Sequence, residues 1–170
     1  SQNLLDYSED FGQWPVHPTY PPTVQDGIAD PFGGTNAKLV TASGSNNASQ
    51  IKDESLSLTD GTYYTCSMYI KKGTSTKIRL GLYKSGWVSW VDTDFSSSGV
   101  PSASVNLSAL NINYEEIGSD GWYRMSFNSK ATVTASNWSL LFYPDRNATN
   151  KDLYLYGAQL EETLYEDTGT

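Results

Sequence analysis

The sequence predicts an all-β fold built from two packed antiparallel sheets, and three observations carry that prediction. Several stretches alternate apolar and polar residues with a period of two, as half-buried strands do. Asp26-Gly27, Asp60-Gly61 and Asp120-Gly121 are turn dipeptides, each followed by β-branched or aromatic residues. The 170-residue chain holds 12 Tyr, 5 Trp and 5 Phe with only 18% charged residues, and few windows favour a helix.

The elements follow in order. Ala37 to Ala42 is a weak strand candidate. From Thr62 to Lys71, Tyr64, Cys66, Met68 and Ile70 fall on one face and Tyr63, Thr65, Ser67 and Tyr69 on the other. The Lys71-Lys72-Gly73-Thr74 connection leads to a second alternation, with Ile78, Leu80 and Leu82 inward and Lys77, Arg79, Gly81 and Tyr83 outward. Trp87 to Asp94 and Ile112 to Ile117 are weaker candidates. Tyr123, Met125 and Phe127 then alternate with Trp122, Arg124 and Ser126, and Trp138, Leu140 and Phe142 alternate with Ser139, Leu141 and Tyr143. Trp122 and Trp138 are expected to pack. The last strand runs from about Leu153 to Leu160, with Tyr154, Tyr156, Ala158 and Leu160 expected on its inner face. Eight or more short strands result.

One domain is expected over residues 1–170, since this length suffices for one core and not for two. Pro15, Pro18, Pro21, Pro22 and Pro31 exclude central-strand pairing through most of the first 35 residues, which are expected to wrap the sandwich as an edge or extended loop. Residues 161–170 read as an acidic exit tail. The chain starts at Ser1, so a processed chain or a piece of a longer protein is expected. It shows no signal peptide and no apolar run of the ~20 residues that span a bilayer.

Charge and composition exclude several function classes. Lys+Arg number 11 against 19 Asp+Glu, a net charge of -8, so nucleic acid and anionic membranes are repelled. One cysteine and one histidine cannot supply a disulfide or a structural zinc site. Catalysis through His17, enclosed in Pro15-Val16-His17-Pro18, is not expected, nor is reactive chemistry at Cys66 on an apolar strand face. Paired acids such as Asp92 and Asp94 read as a solvated face rather than a glycosidase dyad. The sequons at Asn47, Asn106, Asn137 and Asn147 barely exceed chance in so Asn-, Ser- and Thr-rich a chain. No cofactor is required, but acids crowd the amino-terminal segment, and Asp6, Glu9, Asp26 and Asp30 are candidate ligands for a structural calcium.

The aromatic residues carry the strongest functional signal. Tyr83, Trp87 and Trp90 lie within eight residues, with Arg79 on the outward face of Tyr83. Flat rings stack against the C–H face of a sugar while a guanidinium reads hydroxyls, so Arg79, Tyr83, Trp87 and Trp90 are the candidate ligand-binding residues. Burial at a subunit contact is the competing reading.

Several segments carry a family likeness: Asn3-Leu4-Leu5, Tyr7-Ser8-Glu9-Asp10-Phe11 and Trp14; Ala37-Lys38-Leu39-Val40; Thr62-Tyr63-Tyr64-Thr65 through Tyr69-Ile70-Lys71-Lys72-Gly73; and Asp94 to Val100. Gly121-Trp122-Tyr123-Arg124-Met125-Ser126 and Leu153-Tyr154-Leu155-Tyr156-Gly157-Ala158-Gln159-Leu160-Glu161 complete the set. In this order and spacing they resemble the carbohydrate-binding-module-like jelly rolls of bacteriophage tail and head fibre proteins and other virion surface proteins. The resemblance implies a lectin-like jelly roll set within a longer virion protein, often a trimeric fibre or spike. It implies a non-catalytic module on the virion surface whose partner is a cell-surface or environmental polysaccharide. The proline-rich segment and Trp87 to Trp90 depart from the pattern, so no family binding residue is carried over. A purely structural oligomerisation domain and a targeting module of a larger glycan-degrading enzyme remain the alternatives.

Overall fold

A computed structural model describes residues 2–163. After a 3-10 turn at Phe11–Gln13 come β1 (Thr23–Ile28), β2 (Ala37–Thr41), β3 (Ile51–Leu58), β4 (Tyr63–Lys72), β5 (Lys77–Tyr83) and β6 (Trp87–Phe95). They continue with β7 (Pro101–Leu107), β8 (Leu110–Ile117), β9 (Trp122–Lys130), β10 (Ala135–Tyr143) and β11 (Asp152–Glu162). These strands form a jelly-roll sandwich of two antiparallel sheets, one in the order β1-β2-β11-β4-β9-β8 and the other β3-β10-β5-β6-β7.

Period-two alternation builds the core directly. Tyr64, Cys66, Met68 and Ile70 of β4 and Met125 and Phe127 of β9 meet Ile78, Leu80 and Leu82 of β5 and Trp138, Leu140 and Phe142 of β10 between the sheets. Full burial pushes the Cys66 thiol pKa up, which keeps it protonated and unreactive. Two hydroxyl pairs cross the sandwich, Ser89 with Ser129 and Thr93 with Tyr114, so polar groups inside the core satisfy each other. Burial above all raises the Tyr114 phenol, helped by the Asp94 and Asp92 charges and opposed by the Thr93 bond, to about 12.

The amino-terminal segment joins both sheets. Leu4 N–H donates to Leu160 O and Ala158 N–H to Ser8 O on the six-stranded side, and Lys52 N–H donates to Pro15 O on the five-stranded side. Phe11 and Trp14 anchor the crossing, buried edge to face at 5.0 Å, with the Trp14 indole donating to Tyr7 O at 2.8 Å. The strand within the proline-rich region, β1, lies at a sheet edge, and Pro21, Pro22 and Pro31 fall outside it.

Three departures from the sequence reading have local causes. In β11, Leu153 and Leu155 enter the core, while Tyr154 and Tyr156 face outward, opposite to expectation. Gly157, at φ +51°, makes a bulge that resets the parity, so only Ala158 and Leu160 point inward as expected. The strand β3 was not expected, because its pairing with β10 slips at Ser55, a non-glycine residue at φ +61°, and the alternation is lost. Strand β7 and the first residues of β8 are exposed on both faces, so no apolar periodicity announces them. Glu161 and Glu162, placed in the tail by the sequence, end β11, while residues 164–170 of that tail lie outside the described residues. Among the described residues, no helix is long and apolar enough to cross a membrane.

Candidate functional site

The four aromatic-and-arginine candidates come together on the outer face of the five-stranded sheet. Alternation in β5 turns Arg79, Gly81 and Tyr83 outward, and the register sets Asp92, Trp90 and Trp87 of β6 beside them in that order. Trp87 and Trp90 are three residues apart yet share this face, because the pairing shifts between Leu82 and Tyr83. On the other side of β5, Tyr143 of β10 stands beside Arg79. Gly81 is the gap that admits the indoles. A Cβ there would lie 2.7 Å from Trp87 Cζ3, 2.7 Å from Trp90 Cβ and 2.6 Å from Ser89 O.

The side chains form an alternating ladder of cations and rings. Arg146 stands 4.8 Å from the Tyr143 ring, Tyr143 5.7 Å from Trp87, and the Arg79 guanidinium 5.4 Å from Trp87 and 3.8 Å from Trp90. Tyr83, 37% exposed, meets Trp87 edge to face at 5.6 Å. Asp92 accepts from Arg79 Nε at 2.7 Å and from its Nη2 at 3.1 Å, with the two side chains only 11% and 10% exposed. Burial chiefly raises the Tyr143 phenol, against the pull of Arg146 and Arg79. Trp87 and Trp90 are half-buried. The sequence pointed to the rings but not to Tyr143, Arg146 or Gly81. Tyr143 was legible as the outward partner of Phe142, whereas Arg146 sits in a turn with no periodic signal.

A second aromatic surface, missed by the sequence reading, lies on the outer face of the six-stranded sheet. Tyr156 of β11, Tyr69 of β4 and Arg124 of β9 stand side by side across neighbouring strands. Phe32 packs on the two tyrosines, at 5.3 Å from Tyr69 and 6.0 Å from Tyr156, and remains 60% exposed. Beside them a recess of about 210 Å³ is lined by Asn3, Ser8, Glu9 and Gln159 together with the rings. Two features build it. The Gly157 bulge lets Tyr69 approach the backbone, since a Cβ at Gly157 would sit 3.3 Å from its ring. Asp30 fixes the loop carrying Phe32, accepting from the backbone N–H groups of Phe32 at 2.8 Å, Gly34 at 3.0 Å and Asn36 at 3.2 Å. Slight burial works to raise the Asp30 carboxyl, but these three donors together hold it below its ordinary value. Partial burial raises the Tyr156 phenol, as do the nearby Glu9 and Asp30 charges and its bond to Glu9.

The four acids considered for calcium have other roles in the structure, and Glu9 and Asp30 both lie near Tyr156. Asp26 pairs with Lys38 at 3.2 Å, Asp30 holds its own loop, Glu9 bonds Tyr156, and Asp6 lies near Asp53. Among the described residues, no group of three or more His, Cys, Asp and Glu side chains is placed to hold a metal ion. His17 serves its loop, with Nδ1 accepting from Thr19 and Tyr20 N–H.

No family model matches the sequence, and no curated protein matches it. Solved structures share the fold. The CBM22-1-GH10 modules of Clostridium thermocellum endo-1,4-beta-D-xylanase 10B, complexed with xylohexaose, match at TM-score 0.54 and 18% identity over 95% of this chain and 28% of that one. The enzymatically active domain of bacteriophage CBA120 tailspike protein 4 matches at TM-score 0.56 and 10% identity, over 95% of this chain and 21% of that one. TmCBM61, in complex with beta-1,4-galactotriose, matches at TM-score 0.53 and 12% identity over 96% of this chain and all of that one. The chain thus spans about a quarter of the first two structures and has the carbohydrate-binding-module fold.

Proposed function

We propose that the chain is a non-catalytic glycan-binding module of a longer virion surface protein, and that its sheet faces contact a host-cell or environmental polysaccharide. The observation that carries the reading is Phe32. A phenyl ring 60% exposed, braced by two tyrosines above a recess lined with hydroxyl, amide and carboxylate groups, presents what a sugar needs: a flat apolar platform with hydrogen-bonding groups at its edge. Arg79, Tyr83, Trp87 and Trp90 supply a second contact face on the opposite sheet. The xylohexaose and galactotriose complexes of similarly folded modules support a saccharide ligand, and the tailspike likeness is what supports a virion setting.

Small single contacts of this kind bind in the high-micromolar to millimolar range, and repetition on a trimeric fibre or spike raises the effective affinity. A glycan array with the purified chain at high concentration, read alongside light scattering for its mass, tests the reading. Dose-dependent binding that falls with Phe32→Ala supports it. A stable trimer that binds no glycan moves the assignment to a structural fibre domain, a reading favoured by the exposed Val105 and Leu107 of β7 beside Trp90 and Asp92. The xylanase likeness favours a targeting module of a glycan-degrading enzyme, which a catalytic domain in the parent gene would establish.

A further inference from the structure

Three cations of the five-stranded sheet pair one to one with carboxylates, and Arg146 is not among them. Lys52 pairs with Glu54 at 3.2 Å, Lys77 with Asp94 at 2.6 Å and Arg79 with Asp92 at 2.7 Å, while none of the ion pairs among the described residues includes Arg146. Its guanidinium has five N–H donors, of which Nη1 donates to Asn47 O at 2.6 Å. It is half-buried and held against the Tyr143 ring. Lys84, in the turn after Tyr83, is likewise absent from those ion pairs and donates to Ser85 Oγ at 3.2 Å. A chain of net charge -8 therefore carries two cations outside those ion pairs near its aromatic ladder, Arg146 against Tyr143 and Lys84 in the turn after Tyr83.

The environment of Arg146 calls for an anion. Burial first, and then the like charge of Arg79, act against its protonated form, with Asp92 and Tyr143 opposing them. An incoming carboxylate would stabilise the charge, and the fork of a guanidinium matches that group in two parallel hydrogen bonds. Tyr143 lies between Arg146 and Trp87, at 4.8 Å from one and 5.7 Å from the other, so charge and indole fall within the length of a disaccharide. The opposite face is mixed in charge, with Glu9 and Asp30 near Tyr156 and Arg124 beside Tyr69.

We propose that the outer face of the five-stranded sheet takes a carboxylate-bearing sugar, a uronic acid unit of an anionic polysaccharide, with Arg146 holding the carboxylate and Trp87 and Tyr83 packing on the ring carbons. This rests on the reading of the chain as a glycan-binding module and names the ligand class of one of its two faces.

The test is calorimetric titration of the whole chain with oligogalacturonate, oligomannuronate and oligoguluronate, each beside the same oligosaccharide after reduction of its carboxyl groups to alcohols. At least one acidic oligosaccharide is expected to bind about tenfold or more tightly than its reduced counterpart. Added salt should erode that preference. Arg146→Gln should bring the ratio to within about twofold of one. Arg146→Lys, which keeps the charge and loses the fork, should retain part of the preference and keeps the test valid if the Gln variant does not fold. Equal binding of acidic and reduced chains, or a preference that survives Arg146→Gln, overturns the proposal. If neutral glycans still bind, the module reading stands without it. If neither class binds, both fail.

Discussion

The Arg79 guanidinium lies 3.8 Å from the centre of the Trp90 ring while it holds Asp92 through two hydrogen bonds. One side chain of β5 thereby locks an indole and a carboxylate of the adjacent strand β6 into a single arrangement, and the ladder above Gly81 depends on it. Asp92→Ala should cost about 3 kcal/mol in urea unfolding, because it leaves a largely covered guanidinium without its counter-charge. The double change Asp92→Leu with Arg79→Met should cost less than Asp92→Ala alone. The reverse order would show that Arg79 and Asp92 together stabilise the face by more than the orphaned charge costs.

Gly81→Ala tests the packing of the indoles. Contacts of 2.6 to 2.7 Å with Ser89 O, Trp87 and Trp90 leave no room for a methyl group. The expected loss is about 1–3 kcal/mol, with a red-shifted tryptophan emission as Trp87 is displaced toward solvent. An unchanged emission spectrum and an unchanged midpoint would contradict the geometry.

Asp145 supports the turn that carries Arg146. Fully buried, it accepts from Asn147 N–H at 2.9 Å, Thr149 N–H and Oγ1 at 2.8 Å each, and Lys151 N–H at 3.1 Å. Asp145→Ala should destabilise by about 2–4 kcal/mol, since it leaves several donors unmatched. Hydrogen exchange in residues 145–151 should accelerate with it.

Asp53 gives the chain a pH dependence of definite sign. Burial first, together with the Asp6 and Glu54 charges, raises its carboxyl above 3.8, against the backbone bonds from Tyr7 and Asp6. The folded state therefore holds this proton more tightly than the unfolded chain. The stability it contributes is present below the unfolded value and is lost as pH rises through the folded one. Asp53→Asn keeps a hydrogen-bond acceptor and removes the charge, so it should raise Tm at pH 7. The difference should close as pH falls toward the ordinary carboxylate value.

How much of this was legible in the sequence depended on whether period two survived. The faces of β4, β5, β9 and β10 followed from alternation, and with them the outward positions of Arg79 and Tyr83. Tyr156 was assigned to the wrong face because a single left-handed glycine reverses parity and the sequence does not display a φ angle. The Phe32 surface was hidden for the same reason, and because a loop residue meets strand residues far away in the chain only after folding. Arg146 could be singled out only once Lys52, Lys77 and Arg79 were seen to pair with carboxylates and the Arg146 guanidinium to lie against the Tyr143 ring, which requires coordinates.

The most direct test of the central claim is a 1H–15N titration of the labelled chain with neutral oligosaccharides that score on the array, repeated with Phe32→Ala. Phe32 is exposed apart from its contacts with Tyr69 and Tyr156, so the variant should stay folded and cost about 1–2 kcal/mol of stability. The account predicts saturable shifts at Tyr69, Tyr156, Gly157 and Gln159, and a loss of affinity of about tenfold or more in the variant. Shifts confined to other surfaces, or an unchanged affinity in Phe32→Ala, would contradict it.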